Sequence, residues 1–358
     1  MKLLIQPEDG VSPLVSAIKK AKKTVDIVIF RFDRAEIEAA LKAASKRGVS
    51  VSALIAYANH GGERSLRKLE MRLLEAGVTV TRTAADLSRY HDKMLIIDRR
   101  VLYVMSFNLT HLDIDHSRGF GVVTRKTKLV REALRLVKTD TERTRYKAGL
   151  DTFVVSPVNA RKQLLALIGR AKKELLIYDP KADDAQVVRA LSEQARKGVS
   201  VRVIGAVGGR QGNLQARKLL GFRLHTRAIV RDRREVFVGS QSLRKAELDA
   251  RREVGVIVRD AAVVKGIVKT FEADWSVKPT EATAVAATPV KDLKKKLKAT
   301  VAKLSPLDPV VKEAVDDVVL KEDNVNLNTQ EVKETVAKAV KEAVRERVQD
   351  MLNESAAP

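Results

Sequence analysis

The stretch HDKMLIID, residues 91–98, places three polar residues at the head of an apolar run that resembles a buried strand. It returns as HTRAIVRD, residues 225–232, so a histidine, a cation two positions later and an aspartate seven positions later occur twice, 134 residues apart. A buried strand has no structural need for such a head. Its recurrence at fixed spacing therefore indicates a functional site that is present in two copies.

The duplication extends well beyond these two stretches. AKK at residues 21–23 returns at 171–173, and KRGVSV at 46–51 returns as RKGVSV at 196–201, both at an offset of 150. Downstream, GVV at 121–123 returns as GVI at an offset of 134. The repeated unit is more than 100 residues long, so the pattern is that of a duplicated domain and not of a solenoid of short repeats.

Each copy alternates helical and extended patterns. Apolar spacing predicts helices over residues 12–23 and 35–47, and β-branched runs predict strands over 25–30 and 49–55. Strands and helices in alternation are joined by crossovers, so each copy is expected to be an α/β sandwich whose helices cover a mixed sheet. We expect three further strands to extend that sheet as a meander, at residues 91–98, 101–107 and 119–124.

The domain boundaries follow from the repeat and from a change in composition. We predict a first half over residues 1–150 and a second over 151–277, packed about a pseudo-twofold axis. A linker-like stretch, SVKPTEATAVAATP, then leads into a helical C-terminal extension over 278–358. Residues 330–353 of the extension carry a stripe of valines that favours docking or self-association over contact with a membrane surface, because the charge of the segment is balanced.

Charge and composition restrict the class of protein. The chain has 358 residues, no cysteine and a net charge of +23; 14 basic and 14 acidic residues lie between Lys278 and Pro358, so the whole excess belongs to residues 1–277. Disulfides and thiolate metal sites are excluded. The charge favours an anionic partner such as nucleic acid or a lipid surface. Because no apolar run is long enough for a secretory signal or a membrane span, we predict a cytoplasmic protein, with peripheral membrane contact as a further option.

The repeated polar heads have a chemical interpretation. Residues two apart on a strand project to the same side, so His91 and Lys93 point together, as do His225 and Arg227. If the halves face each other, two imidazoles and two cations converge on one place. One imidazole can attack a phosphodiester and form a phosphohistidine, the other can protonate the leaving oxygen, and the cations can neutralise the phosphoryl oxygens. Such a site requires no metal and no cofactor.

These residues resemble the paired HKD motifs of the phospholipase D superfamily, over roughly residues 1–277. The resemblance implies a duplicated phospholipase D-like α/β sandwich, one shared active site and a covalent phosphohistidine. The aspartates are also ordinary turn residues, and that alternative stays open. The resemblance assigns catalytic roles to His91, Lys93, Asp98, His225, Arg227 and Asp232, and contacts with the substrate phosphate to Ser106, Asn108 and Ser240.

The two motifs depart from the family pattern in different respects. The second carries Arg227 in place of lysine and Ser242 in place of asparagine, and the first carries Met105 in place of glycine. Arginine keeps the positive charge but has a larger planar head. Because the first motif keeps its lysine and asparagine, His91 is preferred as the nucleophile, although His225 stays open as an alternative.

The family also uses a downstream carboxylate to orient an imidazole. Glu253 fits that position in the second copy and is included among the catalytic residues, whereas the first copy has Gly119 there. Asp113 and Asp115 can supply the missing carboxylate or be solvated loop charges, and the loop interpretation is preferred. Similarly, HLDIDH at residues 111–116 is expected to be a surface loop and not a metal site.

Three functions are compatible with these residues. The leading hypothesis is a phosphodiesterase or phosphatidyl transferase that acts on phospholipid, because single chains with two such motifs in this superfamily are mostly lipid enzymes. A nuclease is the alternative, favoured by the charge, although only 4% of residues are aromatic and a base-stacking groove needs aromatic side chains. The third is a phosphate-binding module that has lost catalysis.

Overall fold

A computed structural model describes residues 1–57, 63–209 and 214–277. Residues 1–276 form one compact unit. The predicted C-terminal extension and its helix over 330–353 lie outside the described residues. No helix among the described residues is long and apolar enough to cross a membrane.

The first half follows the predicted order of elements. Helices α1 and α2 and strands β2 and β3 lie within a few residues of their predicted bounds, and the meander is present as β6, β7 and β8. The elements are β1 (Lys2–Gln6), α1 (Ser12–Lys20), β2 (Thr24–Ile29), α2 (Ala35–Lys46), β3 (Ser50–Ile55), α3 (Glu63–Leu74), β4 (Thr79–Arg82), β5 (Arg89–Tyr90), β6 (Met94–Ile97), β7 (Val101–Met105), α4 (His111–Asp115), β8 (Ser117–Thr124) and α5 (Thr127–Thr141).

The second half repeats this order, apart from a helix corresponding to α3. Its elements are β9 (Phe153–Ser156), α6 (Ala160–Gly169), β10 (Glu174–Ala182), α7 (Ala185–Arg196), β11 (Ser200–Val207), β12 (Gln215–Arg217), β13 (Arg223–Leu224), β14 (Arg227–Arg231), β15 (Glu235–Gly239), α8 (Lys245–Asp249), β16 (Arg251–Val258) and α9 (Ala261–Ser276).

Each half contributes seven strands to a mixed sheet of eight, and the eighth strand comes from the other half. The first sheet has the order β1-β8-β7-β6-β2-β3-β4, and the second has the corresponding order β9-β16-β15-β14-β10-β11-β12. In both, the two strands joined through a helix crossover are parallel and the meander strands are antiparallel. The fold is therefore the duplicated α/β sandwich that the repeat predicted.

The repeated motif KRGVSV has a structural explanation. Helix α2 ends at Lys46, and Gly48 follows with a φ of +81°; Gly198 takes the same conformation after α7, with a φ of +86°. Only glycine adopts this left-handed conformation without strain, so it ends the helix and turns the chain into the next strand. The motif marks a helix-to-strand turn in each half.

Three apolar layers hold the unit together. One face of each sheet packs with α5 and α9 in a central core, whereas the outer faces pack on α1–α3 and on α6 and α7. Strand β2 shows the alternation that this requires, because Val25, Ile27 and Ile29 belong to the outer core and Val28 to the central one. The two halves therefore share the central core, and each has an outer core of its own.

The halves also exchange a short strand. Strand β5 of the first half pairs in parallel with β16 of the second sheet, and β13 of the second half pairs in parallel with β8 of the first. We call this reciprocal pairing the strand exchange. Strand β5 immediately precedes His91, and β13 immediately precedes His225, so the exchange carries each histidine to the boundary between the halves.

Candidate active site

The backbone of each histidine is held by the opposite half. The His91 N–H donates to the Arg252 carbonyl at 2.8 Å, and the His225 N–H lies 3.4 Å from the Arg118 carbonyl. Both side chains are buried, with exposures of 6% and 7%. Burial lowers the pKa of both imidazoles, and the charges of Lys93 and Arg227 lower both further. His225 adds to the effect on His91, so all four groups lie within electrostatic range of one another.

His91 has a firmly oriented ring. Its Nδ1 lies 2.8 Å from Glu253 Oε2 and 3.0 Å from Oε1, and the edge of its ring packs against Phe30 with centroids 4.4 Å apart. Glu253 is fully buried. With Nδ1 directed at the carboxylate, the other ring nitrogen, Nε2, is the one available to a substrate. The carboxylate expected from the sequence therefore belongs to the histidine of the opposite half.

Burial controls the protons of this pair. It raises the pKa of Glu253 to about 8, against the nearby charge of Lys93, and it lowers the pKa of His91 well below its ordinary value, together with the charges of Lys93 and Arg227. At neutral pH the pair therefore holds two protons, one between Nδ1 and the carboxyl group and one on Nε2.

His225 faces a different carboxylate. Asp113 Oδ2 lies 3.4 Å from His225 Nδ1, too far for a strong hydrogen bond, and Asp113 also accepts from the Asn108 backbone N–H at 2.7 Å and pairs with Arg223 at 2.7 Å. Burial alone would raise the pKa of Asp113, but His225, Arg223 and the Asn108 N–H together hold it below its usual range. Asp113 is an ionised carboxylate beside His225.

This corrects the interpretation of residues 111–116 as a surface loop. Residues 111–115 form helix α4, in which Asp113 is buried, with an exposure of 2%. Asp115 is partly exposed and pairs with Arg34, and His111 and His116 are exposed. The sequence contained a signal for Asp113, since the equivalent position in the second half, Glu247, is also acidic. Gly119 takes no part, because a Cβ built there would meet the Phe107 ring at 2.9 Å.

The two motif cations are buried beside the histidines. Lys93 Nζ donates to the His91 carbonyl at 2.5 Å, and Arg227 donates in the same way to the His225 carbonyl at 2.6 Å. Burial lowers the pKa of Lys93 to about 7, with Glu253 opposing this and Arg227 adding to it. Arg227 Nε has no partner among the described residues. Both side chains retain donors that an anionic ligand can use.

The residues expected to contact phosphate lie on the strands that follow the motifs. Ser106 Oγ accepts from the Phe120 N–H and donates to Thr226, and Ser240 Oγ accepts from the Val254 N–H. Asn108 Nδ2 donates to Asp113, while its Oδ1 is buried without a partner among the described residues. These three side chains therefore already have roles in holding the site, and their phosphate contacts stay a prediction.

Asp98 and Asp232 do not reach the histidines, which corrects their assignment as catalytic. They lie at the opposite ends of β6 and β14, in two-residue turns where both residues have a φ near +50°. The Asp98 carboxylate accepts from the backbone N–H groups of three residues that begin β2, and Asp232 does the same at the start of β10; the donors are Lys22, Lys23 and Thr24, and Lys172, Lys173 and Glu174. Their role is structural.

Comparison with known proteins identifies the family. The sequence profile described as the cardiolipin synthase, PLD-like domain matches residues 14–140 and 164–275, which together make up most of the chain. The chain belongs to the phospholipase D-like family. Both matched segments contain one histidine motif, so the family assignment covers the complete pair.

Individual proteins are also similar to this chain of the phospholipase D-like family. The mitochondrial cardiolipin hydrolase of Mus musculus is 28% identical over 127 residues, which are 35% of this chain and 54% of the relative; the chain thus spans about half the length of that protein. Among solved structures, the polyphosphate kinase of Porphyromonas gingivalis has a TM-score of 0.65 at 20% identity, covering 77% of this chain and 50% of the kinase. The phosphatidylserine synthase of Haemophilus influenzae has a TM-score of 0.54 at 10% identity, covering 76% and 85%. These two structures establish the fold.

Proposed function

We propose that this protein is a phosphodiesterase that forms a covalent phosphohistidine on His91, without a metal ion. The observation that carries the proposal is the different environment of the two imidazoles, since His91 is bound to Glu253 at 2.8 Å whereas His225 stands beside an ionised Asp113. Groups in such unlike surroundings are suited to different roles in one reaction.

The first step breaks the bond between phosphorus and the leaving oxygen. Nε2 of His91 attacks phosphorus, and the leaving oxygen takes a proton from the ring nitrogen of His225 that faces away from Asp113. Burial, together with the charges of Arg227, Arg223 and Lys93, lowers the pKa of His225 well below its ordinary value. The negative charge of Asp113 opposes this and so favours the protonated form that the step consumes. Lys93 and Arg227 neutralise the charge on the non-bridging oxygens. These two cations supply the positive charge that a metal ion would otherwise provide.

The second step reverses the use of His225. The now neutral imidazole takes a proton from water, the resulting hydroxide attacks phosphorus, and the bond between phosphorus and His91 breaks to release a phosphomonoester. An alcohol in place of water gives transfer instead of hydrolysis. The relatives named as a cardiolipin hydrolase and a phosphatidylserine synthase support both outcomes for this chain. A phospholipid substrate, as expected from the sequence, rests on the resemblance.

Hydrolysis of bis(p-nitrophenyl) phosphate in EDTA tests the proposal. We expect turnover by the full chain, loss of it in His91→Ala, and an acid-labile, alkali-stable phosphoryl group on His91 after quenching at early times. His225→Ala should still be phosphorylated by this substrate, because p-nitrophenolate leaves without protonation, but should release the phosphoryl group slowly. Equal turnover by wild type and His91→Ala would refute the assignment of the nucleophile.

A further inference from the structure

One side of the site carries arginines that lack acidic partners. The guanidinium carbons of Arg31 and Arg89 lie 5.8 and 5.3 Å from the centre of the Phe30 ring, whose edge contacts His91. Within the described residues neither arginine is within ion-pair distance of a carboxylate. Arg89 is half-buried and stands directly opposite Arg251 in the pairing of β5 with β16. Arg251 pairs with Glu247 at 3.0 Å, so of the two opposed arginines only Arg89 lacks an ion pair among the described residues.

The corresponding side of the second half is neutralised. Lys181 occupies the place of Arg31 at the offset of 150 and pairs with Asp183 at 3.2 Å, and Arg223 occupies the place of Arg89 and pairs with Asp113 at 2.7 Å. Ser117 replaces Arg251. A simple excess of basic residues would leave these equivalent positions alike, whereas of them only Arg31 and Arg89 lack an acidic partner among the described residues, and both belong to the side of His91.

An exposed aromatic residue leaves the same end of the sheet as Arg31. Strands β2 and β3 are parallel and end at Ile29 and Ile55, which lie opposite each other, and the Ala56 N–H donates to the Ile29 carbonyl. Arg31 and Tyr57 therefore both lie two residues beyond this last pair. Tyr57 is 47% exposed. The equivalent residue of the second half is Val207.

We propose that this edge binds the next nucleotide of a single-stranded nucleic acid, with its phosphate on Arg31 and Arg89 and its base on Tyr57. The inference rests on the proposed function, because the scissile phosphate would sit between His91 and His225. A second phosphate, one nucleotide away, can pair with the arginines that lack acidic partners, and the base of that nucleotide can stack on the exposed tyrosine ring. A duplex would present neither an unstacked base nor a backbone that can follow the edge.

The same edge suits a lipid poorly. Acyl chains need a continuous apolar surface beside the headgroup site. Among the described residues, the exposed large apolar side chains are few: Tyr57, Met71 and Leu74 of α3, Val158 and Phe222. The substrate class favoured by the structure is therefore nucleic acid, in contrast to the phospholipid favoured by the sequence.

Binding by a full-length chain with His91→Ala, which blocks cleavage, tests the inference. Fluorescence anisotropy with a labelled 12-nucleotide single strand should show binding that weakens with salt. Arg31→Ala with Arg89→Ala in this background should weaken it at least about tenfold and reduce the slope of log K against log salt by about 0.7 for each contact, hence about 1.4. Tyr57→Ala should weaken it about tenfold without changing the slope, and Tyr57→Phe should not. The matched control is Lys181→Ala, whose cation is already paired, and it should bind as the parent does.

The outcomes separate the two proposals. Equal affinity for a duplex, or no change in slope in the double arginine variant, would overturn the inference. So would binding to phosphatidylglycerol vesicles, lost in that variant, by a protein that ignores the single strand. Failure of the proposed function is seen elsewhere: a protein that binds the strand through these residues but hydrolyses neither it nor bis(p-nitrophenyl) phosphate keeps the inferred site and loses the phosphodiesterase.

Discussion

In the proposed mechanism, a single proton decides whether His91 can attack phosphorus. Nδ1 points at Glu253, so Nε2 carries a free lone pair only when the pair has given up the proton that burial makes it hold. The raised pKa of Glu253, about 8, therefore acts as a threshold for forming the nucleophile. Below it the pair is protonated and inactive, and above it the imidazole can react.

We predict that kcat/KM for bis(p-nitrophenyl) phosphate rises with pH through about 8. Glu253→Gln removes the acidic partner, so the limb should move down by more than one pH unit toward the lowered pKa of His91, while the maximal rate falls. The two pH profiles, measured at constant ionic strength, check this. An unchanged limb would show that another group controls it.

Asp113 acts on the opposite step, through His225. The Asp113 carboxylate lies 3.4 Å from His225 Nδ1. We expect this distance to shorten when the imidazole becomes charged, because catalytic hydrogen bonds often tighten when substrate binds. It is a positioning residue, since it touches the imidazole and not the substrate. Its effect should therefore depend on how much the leaving oxygen needs a proton.

Asp113→Asn should lower the rate with an alkyl phosphodiester at least about tenfold more than the rate with a p-nitrophenyl ester, because only the alkoxide requires an acid. Asp115→Asn, two residues along the same helix and paired with Arg34, is the matched control and should show no such difference. Rates for both esters with each variant are the measurement. Equal losses on the two esters would indicate a general disturbance of the fold.

At the scale of elements, the two tight turns hold the motif strands in place. The Asp98 carboxylate accepts hydrogen bonds from three backbone N–H groups. Burial alone would raise the pKa of Asp98, but these hydrogen bonds hold it below the ordinary value. A depressed pKa in the folded state means that the carboxylate stabilises the fold above pH 4 or so, and that this contribution is lost as the pH falls through the folded pKa.

We expect Asp98→Ala to lower the free energy of unfolding by about 2 kcal/mol, since a charged acceptor of several hydrogen bonds is lost. Asp98→Asn should lose less, because its amide oxygen still accepts and asparagine tolerates a positive φ. Urea unfolding at pH 7 measures both, and the loss in the alanine variant should shrink as the pH is lowered toward 3. A fall in turnover without a fall in stability would restore a catalytic role for Asp98.

The sequence identified the elements better than it identified the roles of individual residues. Strong periodicity placed β2, β3 and the meander correctly, because a local apolar pattern determines each of them. The spacing also identified Asp98 as a motif residue but assigned it a catalytic role, because a turn aspartate and a catalytic aspartate cannot be distinguished in the sequence. Pairing of His91 with Glu253, and of His225 with Asp113, joins residues 162 and 112 positions apart, and only the packing of the halves reveals it.

For the whole molecule, chemistry and charge belong to the compact unit of residues 1–276. Each group placed in the site lies within it, and so does the net excess of 23 positive charges. We therefore predict that a chain ending at Lys278 retains turnover of bis(p-nitrophenyl) phosphate within about twofold. Steady-state kinetics and sedimentation of this chain check it. A folded, monodisperse truncation without activity would show that the extension completes the site.

The strand exchange also determines the stage of chain synthesis at which the site can be assembled. Strand β5 and His91 lie near residue 90, but their partners, Arg252 and Glu253, are made about 160 residues later. During synthesis on the ribosome, His91 therefore lacks the partners that orient it until the second half has emerged. A nascent chain, or one terminated before Glu253, has no oriented nucleophile, so the proposed activity appears only once the second half has been made.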